Sequence, residues 1–596
     1  MGMFTLSREV PPTAADGTSS LPARSREVVI SREVPSAAAD GTFSHAFGAP
    51  LQRSAAGYTL RLFGKLNGRP AGLLDRGDGD FIAQTGTFYF GGKTGTQALE
   101  ALFERFDGKR FPWAECRGHF AVILRWRRRL FLATDALGAY KVYHDREQGC
   151  FSSSFLAVQA ALPRVTIDKQ GCYEYAWNGT TFGDKTFFHE VRMLRQGMLI
   201  ELTDRPTVLD TWRLAPAARS TASFEDTAQL HAARLRDLVR TYAAGGGPFR
   251  LGMSGGYDSR LILALLLDAG SRPELFVYGP RTSPDVDLAL RVASSEGLAI
   301  EHIDKSQYAS ALDPVHRLQR AHDGIDGWNG YGVLNNGADA EDRLARVAGD
   351  QILLNGSCGE IFRNFFNLPD RPYQLSHIVP VFYSYLLPRA CTPAFDVHEY
   401  ESGLVADMQS AISTGGRWKT REEIEALYPL HRGRYWTARD IAVNNRFGRV
   451  LFPFLEAAIV EGTAAIPVAF KQYGRLQARM IEILRPSLAR SPTTRGFCPA
   501  DRVPLRYKLL SQANIQRPTW IRPYGYRLRH RHPIIRPEYL RDEALRHVID
   551  PELPVMQAYF HPEQIHDGEV LNRVCTMEWL SSSPARATFE RYQAAS

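Results

Sequence analysis

FRLGMSGGYDSRLILALLLDAG, residues 249–270, reads as a strand, a Gly-rich turn and a helix in immediate succession. The first five residues, FRLGM, read as the strand. Ser254-Gly255-Gly256 breaks the pattern, and Arg260 onward carries apolar residues around a whole helix. ELFVYG (274–279) follows as a second buried strand and DVDLALRVASSEG (285–297) as a second helix. Strand–helix alternation of this kind predicts a doubly wound parallel sheet, with any ligand at the carboxyl ends of its strands.

Upstream of this unit the periodicity changes. TAQLHAARLRDLVRTYAA (227–244) has the spacing of one helix face, whereas residues 57–212 hold short alternating strands broken by Gly and Asp. YTLRLFG, GHFAVILRW, RLFLATD and GMLIELTD are examples, and their density predicts an α+β sandwich. The first fifty residues read as a poorly ordered lead-in, in which SREVPPTAADGTSS (7–20) recurs as SREVPSAAADGTFS (31–44). Two copies are too few for a solenoid, and a recent duplication is the simpler reading. Residues 440–490 read as mostly helical, and beyond Phe497 the chain is rich in Arg and Pro. The expected divisions are therefore 1–50, 51–215, 220–500 and a basic extension over 501–596.

The 596 residues are too many for one ordinary core, and 44% hydrophobic with 23% charged content is that of a globular protein. The longest apolar run, LILALLL (261–267), is far short of the roughly 20 residues that span a bilayer. No signal-like segment opens the chain, so the cytoplasm is the expected compartment and no membrane partner is expected. Seven scattered cysteines include no CxxC pair, which argues against a zinc site or a disulfide framework. A net charge of +8 suits a nucleotide or another anion without demanding nucleic acid.

The turn Ser254-Gly255-Gly256-Tyr257-Asp258-Ser259 carries the chemistry. A helix start exposes unpaired backbone N–H groups at the positive end of its dipole. Gly255 and Gly256 remove the Cβ atoms that would hold a phosphate away, Ser254 and Ser259 add hydroxyls, and Asp258 can hold a Mg²⁺ that bridges phosphates. Neither GxxxxGK[ST] nor GxGxxG is present.

SGGYDS resembles the SGGxDS loop of the PP-loop ATP pyrophosphatases, among which the asparagine synthetase family is the most similar. The likeness extends over nearly the whole chain after the lead-in. Residues 118–144 followed by FSSSF (151–155), and TFFHEVRMLRQGMLIEL (186–202), resemble the family's glutaminase domain, an Ntn-hydrolase-like sandwich. In the synthetase part, residues 283–303, including Asp287 and His302, resemble the stretch after the second strand. ILLNGSCGEIFRN (352–364) resembles L-S-G-x-G-x-D-E-x-F-G-G, and residues 449–467 resemble R-x-P-F-L-D-x-x-x-V. The resemblance implies MgATP as substrate, a carboxylate activated as its adenylate, and an amine that attacks it. It implies Ser254, Gly255, Gly256, Asp258, Ser259, Val277 and Gly356 around the nucleotide, and Asp258 and Glu360 on the metal. Without gaps, Glu360 takes the family's second metal-binding Asp. A slip of one residue would leave Gly359 there instead, and a helix-dipole role for Glu360 is the plainer alternative.

Three departures qualify this. Gly2 stands where a glutamine-hydrolysing member needs Cys, and Phe63-Gly64 stands where its oxyanion-hole Asn-Gly would be. Arg495, in RSPTTRGF, replaces a phosphate-contacting Lys; it can hold phosphate but cannot donate a proton, and a surface Arg is its plainer reading. Ser357 occupies the place of the Tyr in the Tyr–Glu pair of β-lactam-forming relatives.

The expected activity is an AMP-forming carbon–nitrogen ligase without its own glutaminase, with Asp258, Glu360 and Arg495 as catalytic residues. Its substrates would be a small molecule, peptide or glycan bearing a carboxylate, with free ammonia or an acceptor amine as nitrogen source. Macrolactam formation of the lasso-peptide type and a non-catalytic scaffold are the alternatives. A homodimer is left open. RNA modification lacks support, because no paired cysteines could carry sulfur.

Overall fold

The computed structural model describes residues 2–8, 29–31, 49–304, 324–327, 329–334, 337–383, 387–412, 414–529 and 536–582. Its architecture is mixed α/β, with antiparallel sheets in the first part of the chain and a parallel sheet with many helices in the second.

Alternating side chains build the first part. In the strands Phe81–Phe90 and Cys116–Trp126, Phe81, Ala83, Ala121 and Ile123 face one apolar cluster, while Ile82, Val122 and Leu124 face another. Successive strand residues point to opposite faces, so one sheet closes two cores. That sheet has seven strands. The inner cluster joins it to a six-stranded antiparallel sheet ordered Val191–Met193, Tyr143–Asp145, Cys150–Ser152, β1 (Met3–Arg8), Tyr58–Phe63, Leu51–Ala55. The outer cluster is covered by the helix Gly95–Arg105, which contributes Ala98, Leu99 and Leu102.

β1 corrects the reading of residues 1–50 as a lead-in. Met3–Arg8 is an interior strand, paired on one side with Tyr58–Phe63 and on the other with Cys150–Ser152. Phe4 and Leu6 are fully buried in the inner core. The Ala/Ser/Pro-rich composition of the fifty-residue window hid a six-residue alternation at its start. Val29–Ser31 also pairs, with Arg164–Thr166. Most of the duplicated segment (9–28 and 32–44) lies outside the described residues.

The parallel sheet comprises β2 (Phe249–Gly252), β3 (Glu274–Tyr278), β4 (Ile300–Ile303), β5 (Ile352–Leu354) and β6 (Arg449–Leu451), in the spatial order β4-β3-β2-β5-β6. All four pairings are parallel. β2 and β5 are therefore neighbours in space although two strands separate them in sequence. Between them the direction of winding reverses, the kind of place where open α/β sheets leave a crevice at the carboxyl ends of their strands.

Helices flank that edge. α1 (Lys169–Asn178) belongs to the first part. α3 (Tyr257–Asp268) packs beside β2 and α2 (Phe224–Ala244) against α3, and Leu261 through Leu266 of α3 are completely buried. α4 (Pro284–Ser295) follows β3, α5 (Arg475–Leu484) lies against α2 and α3, and α6 (Leu505–Gln516) comes after it.

One apolar cluster runs from Met3 through the parallel sheet to Leu580, so the two parts share a core. The end of the chain belongs to it. α7 (Gly568–Ser581) is capped by Asp567 and packs on α1, where Arg573 donates to the Ala176 carbonyl at 3.0 Å. Within the expected basic extension over 501–596, Leu571, Val574 and Trp579 of this helix are buried. Among the described residues no helix is long and apolar enough to cross a membrane.

Candidate active site

The Gly-rich turn leaves the carboxyl end of β2 and is folded onto itself. The Ser254 and Ser259 hydroxyls lie 3.0 Å apart, and Ser259 Oγ also accepts the Ser254 N–H at 3.1 Å. Gly256 is the N-cap of α3 in extended conformation, with no side chain capping the helix. Gly255 is walled in: a Cβ there would fall within 3 Å of Thr494, Leu288 and Asp285. Its carbonyl accepts the Thr494 N–H at 3.1 Å, which ties the turn to the segment bearing Arg495.

The N–H groups expected to be free for phosphate have partners within the chain. Gly255 N–H donates to Asp285 Oδ1 at 2.9 Å, and Gly256 N–H approaches Ser254 Oγ at 3.3 Å. The carboxylate that reaches the turn is Asp285, at the start of α4. Asp287, two residues on, pairs with Arg291 at 3.0 Å on an exposed face, and His302 bonds the Gly279 carbonyl at 2.7 Å.

The second loop of the site comes off β5. Gly356 lies against the first turn of α3, where a Cβ would be 3.0 Å from Ser259 N. This close approach sets the Glu360 segment beside Asp258. Cys358 is left-handed (φ 74°) and leads into a tight turn of helix, Gly359–Phe362. A Cβ on Gly359 would overlap the Asp258 carboxylate. The residue that directly faces Asp258 is therefore Gly359, and Glu360 stands beside the pair and reaches it through another side chain.

That side chain is Arg363. Its Nη2 lies 2.6 Å from Asp258 Oδ2 and 2.8 Å from Glu360 Oε1. Gln477, on α5, donates to the other Asp258 oxygen at 2.6 Å and to the Gly359 carbonyl at 3.1 Å. Tyr428 OH donates to Glu360 Oε2 at 2.7 Å, so a Tyr–Glu pair exists in space although Ser357 is no part of it. Burial pushes the Asp258 carboxyl upward; Arg363 opposes this and Glu360 adds to it.

Arg495 completes the wall. It donates to the Tyr473 carbonyl, and its guanidinium lies over the Tyr257 ring at 4.4 Å, an arrangement in which a cation is held by the ring face. Together with Glu360, Arg363, Tyr473, Tyr507 and Ile515 it lines a cavity of about 390 Å³, whose far side is α6. The structure thus gathers Ser254, Gly255, Gly256, Asp258, Ser259, Gly356, Glu360 and Arg495 into one region. Of these only Glu360 and Arg495 line the cavity itself, and Val277 is buried in the apolar core of β3, in register with His302.

Arg363, Gln477, Tyr428 and Asp285 were not anticipated. Only Arg363 left a legible sign: in the alignment slipped by one residue, which places Gly359 at the metal-binding Asp, Phe362-Arg363-Asn364 stands where the resembled pattern has F-G-G. The other three come from segments whose contact with the loop depends on tertiary packing.

A divalent ion does not fit this arrangement. Mg²⁺ requires open oxygen ligands in octahedral geometry at about 2.0–2.1 Å, and every oxygen of Asp258 and Glu360 already has a donor from the chain. Among the described residues no group of three or more His, Cys, Asp or Glu side chains could hold a metal ion.

The position expected to bear the glutaminase nucleophile is closed as well. Gly2 N–H donates to the Phe63 carbonyl at 3.1 Å, and a Cβ at residue 2 would overlap the Gly64 carbonyl oxygen. Cys116 offers no substitute, because burial pushes its thiol well up. No family model and no curated protein matches this chain.

Proposed function

We propose that this chain is an ATP-dependent, amide-forming ligase of the asparagine synthetase type, with a PP-loop synthetase half and a glutaminase-like half that has lost its chemistry. One observation carries the reading. The Ser254–Ser259 turn and the Asn355–Glu360 loop leave adjacent parallel strands at the reversal of winding, beside a cavity lined by two arginines. Such a crevice suits phosphate groups. The resemblance of five ordered segments to the family supplies the reaction class.

In this reading a substrate carboxylate oxygen attacks the α-phosphorus of ATP. The P–O bond to pyrophosphate breaks, giving an acyl adenylate. Ammonia or an acceptor amine then attacks the acyl carbon, AMP leaves, and a proton is released. Arg495 and Arg363 oppose the charge that builds on the departing phosphates. The turn orients the polyphosphate, and Tyr507 and Ile515 of α6 wall the space for the acyl group. The closed position at Gly2 supports a nitrogen source outside the chain.

Substrate-dependent exchange of labelled pyrophosphate into ATP tests this. The purified chain is offered aspartate, peptides and uronic acids, with Asp258→Ala as control. Exchange with one class, lost in the variant, is the expected result; no exchange alongside no ATP binding sinks the reading. That outcome would favour a non-catalytic scaffold, for which the internally satisfied turn and carboxylates are the supporting observation.

A further inference from the structure

The two carboxylates that the resemblance assigns to a metal already enclose a cation. Arg363 Nη2 sits between Asp258 Oδ2 and Glu360 Oε1 at 2.6 and 2.8 Å, while Gln477 and Tyr428 take the remaining oxygens at 2.6 and 2.7 Å. We propose that Arg363 is the resident cation of this pair, that it excludes a divalent ion, and that the site takes a polyphosphate without metal.

Geometry and charge support this together. A divalent ion entering between the carboxylates would have to expel a guanidinium that already neutralises them. The three side chains are about a quarter exposed, and breaking a close, partly buried ion pair by removing one partner leaves the other charge poorly compensated. A guanidinium has five N–H donors, and here Nη2 alone serves both carboxylates. Arg363 Nε is buried with no hydrogen-bond partner among the described residues. Arg363 and Arg495 both line the cavity. A pyrophosphate group is the class of anion that two arginines recognise, through paired N–H···O contacts. The polyphosphate clause rests on the ligase reading above; exclusion of the metal does not.

The test uses the full chain and Mn²⁺ as a spin-active probe of the divalent site. The wild type is expected to bind no Mn²⁺ at this pair. Arg363→Ala frees the carboxylates and gains one Mn²⁺ site, which the additional change Asp258→Asn removes; Arg363→Lys keeps a cation and gains none. A wild-type Mn²⁺ site lost in Asp258→Asn overturns the proposal, and so does a folded Arg363→Ala that gains none. Should Arg363→Ala not fold, the wild-type comparison with Asp258→Asn decides alone. Pyrophosphate affinity by calorimetry is expected to differ by less than about twofold between EDTA and Mg²⁺. A tightening of about tenfold with Mg²⁺ overturns metal-free binding. If pyrophosphate binds under neither condition, the polyphosphate clause and the ligase reading fall together, and the Mn²⁺ result alone decides whether Arg363 is the resident cation.

Discussion

Residue 2 is enclosed by backbone on the side where a side chain would grow, because its Cβ would meet the Gly64 carbonyl. Gly2→Cys is therefore expected to lower the melting temperature and to leave glutamine unhydrolysed, as measured by scanning calorimetry and ammonia release. A variant of unchanged stability that hydrolyses glutamine would refute this. Gly359 is constrained in the same way by the Asp258 carboxylate. Gly359→Ala should push Asp258 out of its contacts with Gln477 and Arg363, costing about 1–3 kcal/mol of stability through overpacking. It should also abolish the pyrophosphate exchange, while a Gly359→Ala protein with wild-type exchange would sever Asp258 from that reaction. At this scale the SGGYDS turn was legible because its residues are consecutive, whereas Gln477 lies 219 positions from Asp258 and Tyr428 lies 68 from Glu360. No local pattern encodes such contacts. Asp285 shows the finer problem: the right segment was visible, but which of two acids two residues apart faces the turn depends on the start of α4.

α2 starts on an isolated signal of the kind sequence reading handles well. Ser223 accepts the Asp226 N–H at 3.1 Å and donates to the Asp226 carboxylate at 2.7 Å, closing the first turn of a 21-residue helix. Loss of such a cap costs about 1 kcal/mol, so Ser223→Ala should lower the denaturation free energy by that amount while leaving nucleotide-dependent behaviour intact. A change near zero in urea titration would show that packing against α3 and α5 alone sets this helix. Elements with a clear period were anticipated: the alternating strands of the first part, and β2, α3 and β3 of the second. β1 was missed because six alternating residues precede a long stretch of opposite composition. α7 was missed for another reason. Its burial on α1 comes from packing across the length of the chain, which the Arg-rich residues before it obscure.

The two parts of the molecule meet through polar groups as well as apolar ones, and these give the whole a pH dependence that neither part has alone. Glu456, after β6, accepts the Gly118 N–H at 2.6 Å and the Tyr242 hydroxyl through the same oxygen, Oε1. Burial pushes its carboxyl up to about 7, against an ordinary value near 4.5. Between those two values the folded chain holds a proton that the unfolded chain has lost. The number of protons bound is then larger in the native state, so stability falls as pH rises through the window and is flat above it. Glu456→Gln keeps an oxygen acceptor for both donors and cannot ionise. The variant should therefore match the wild type near pH 4.5 and exceed it at pH 8 by an amount on the order of a few kcal/mol. Urea denaturation of both proteins across this range measures the difference directly, and other titrating groups common to the two cancel from it. Parallel curves would mean that Glu456 stays ionised in the fold, and that the contact between the halves tolerates a buried charge beside Tyr242. Curves that converge at low pH and separate at high pH would locate the proton at this junction.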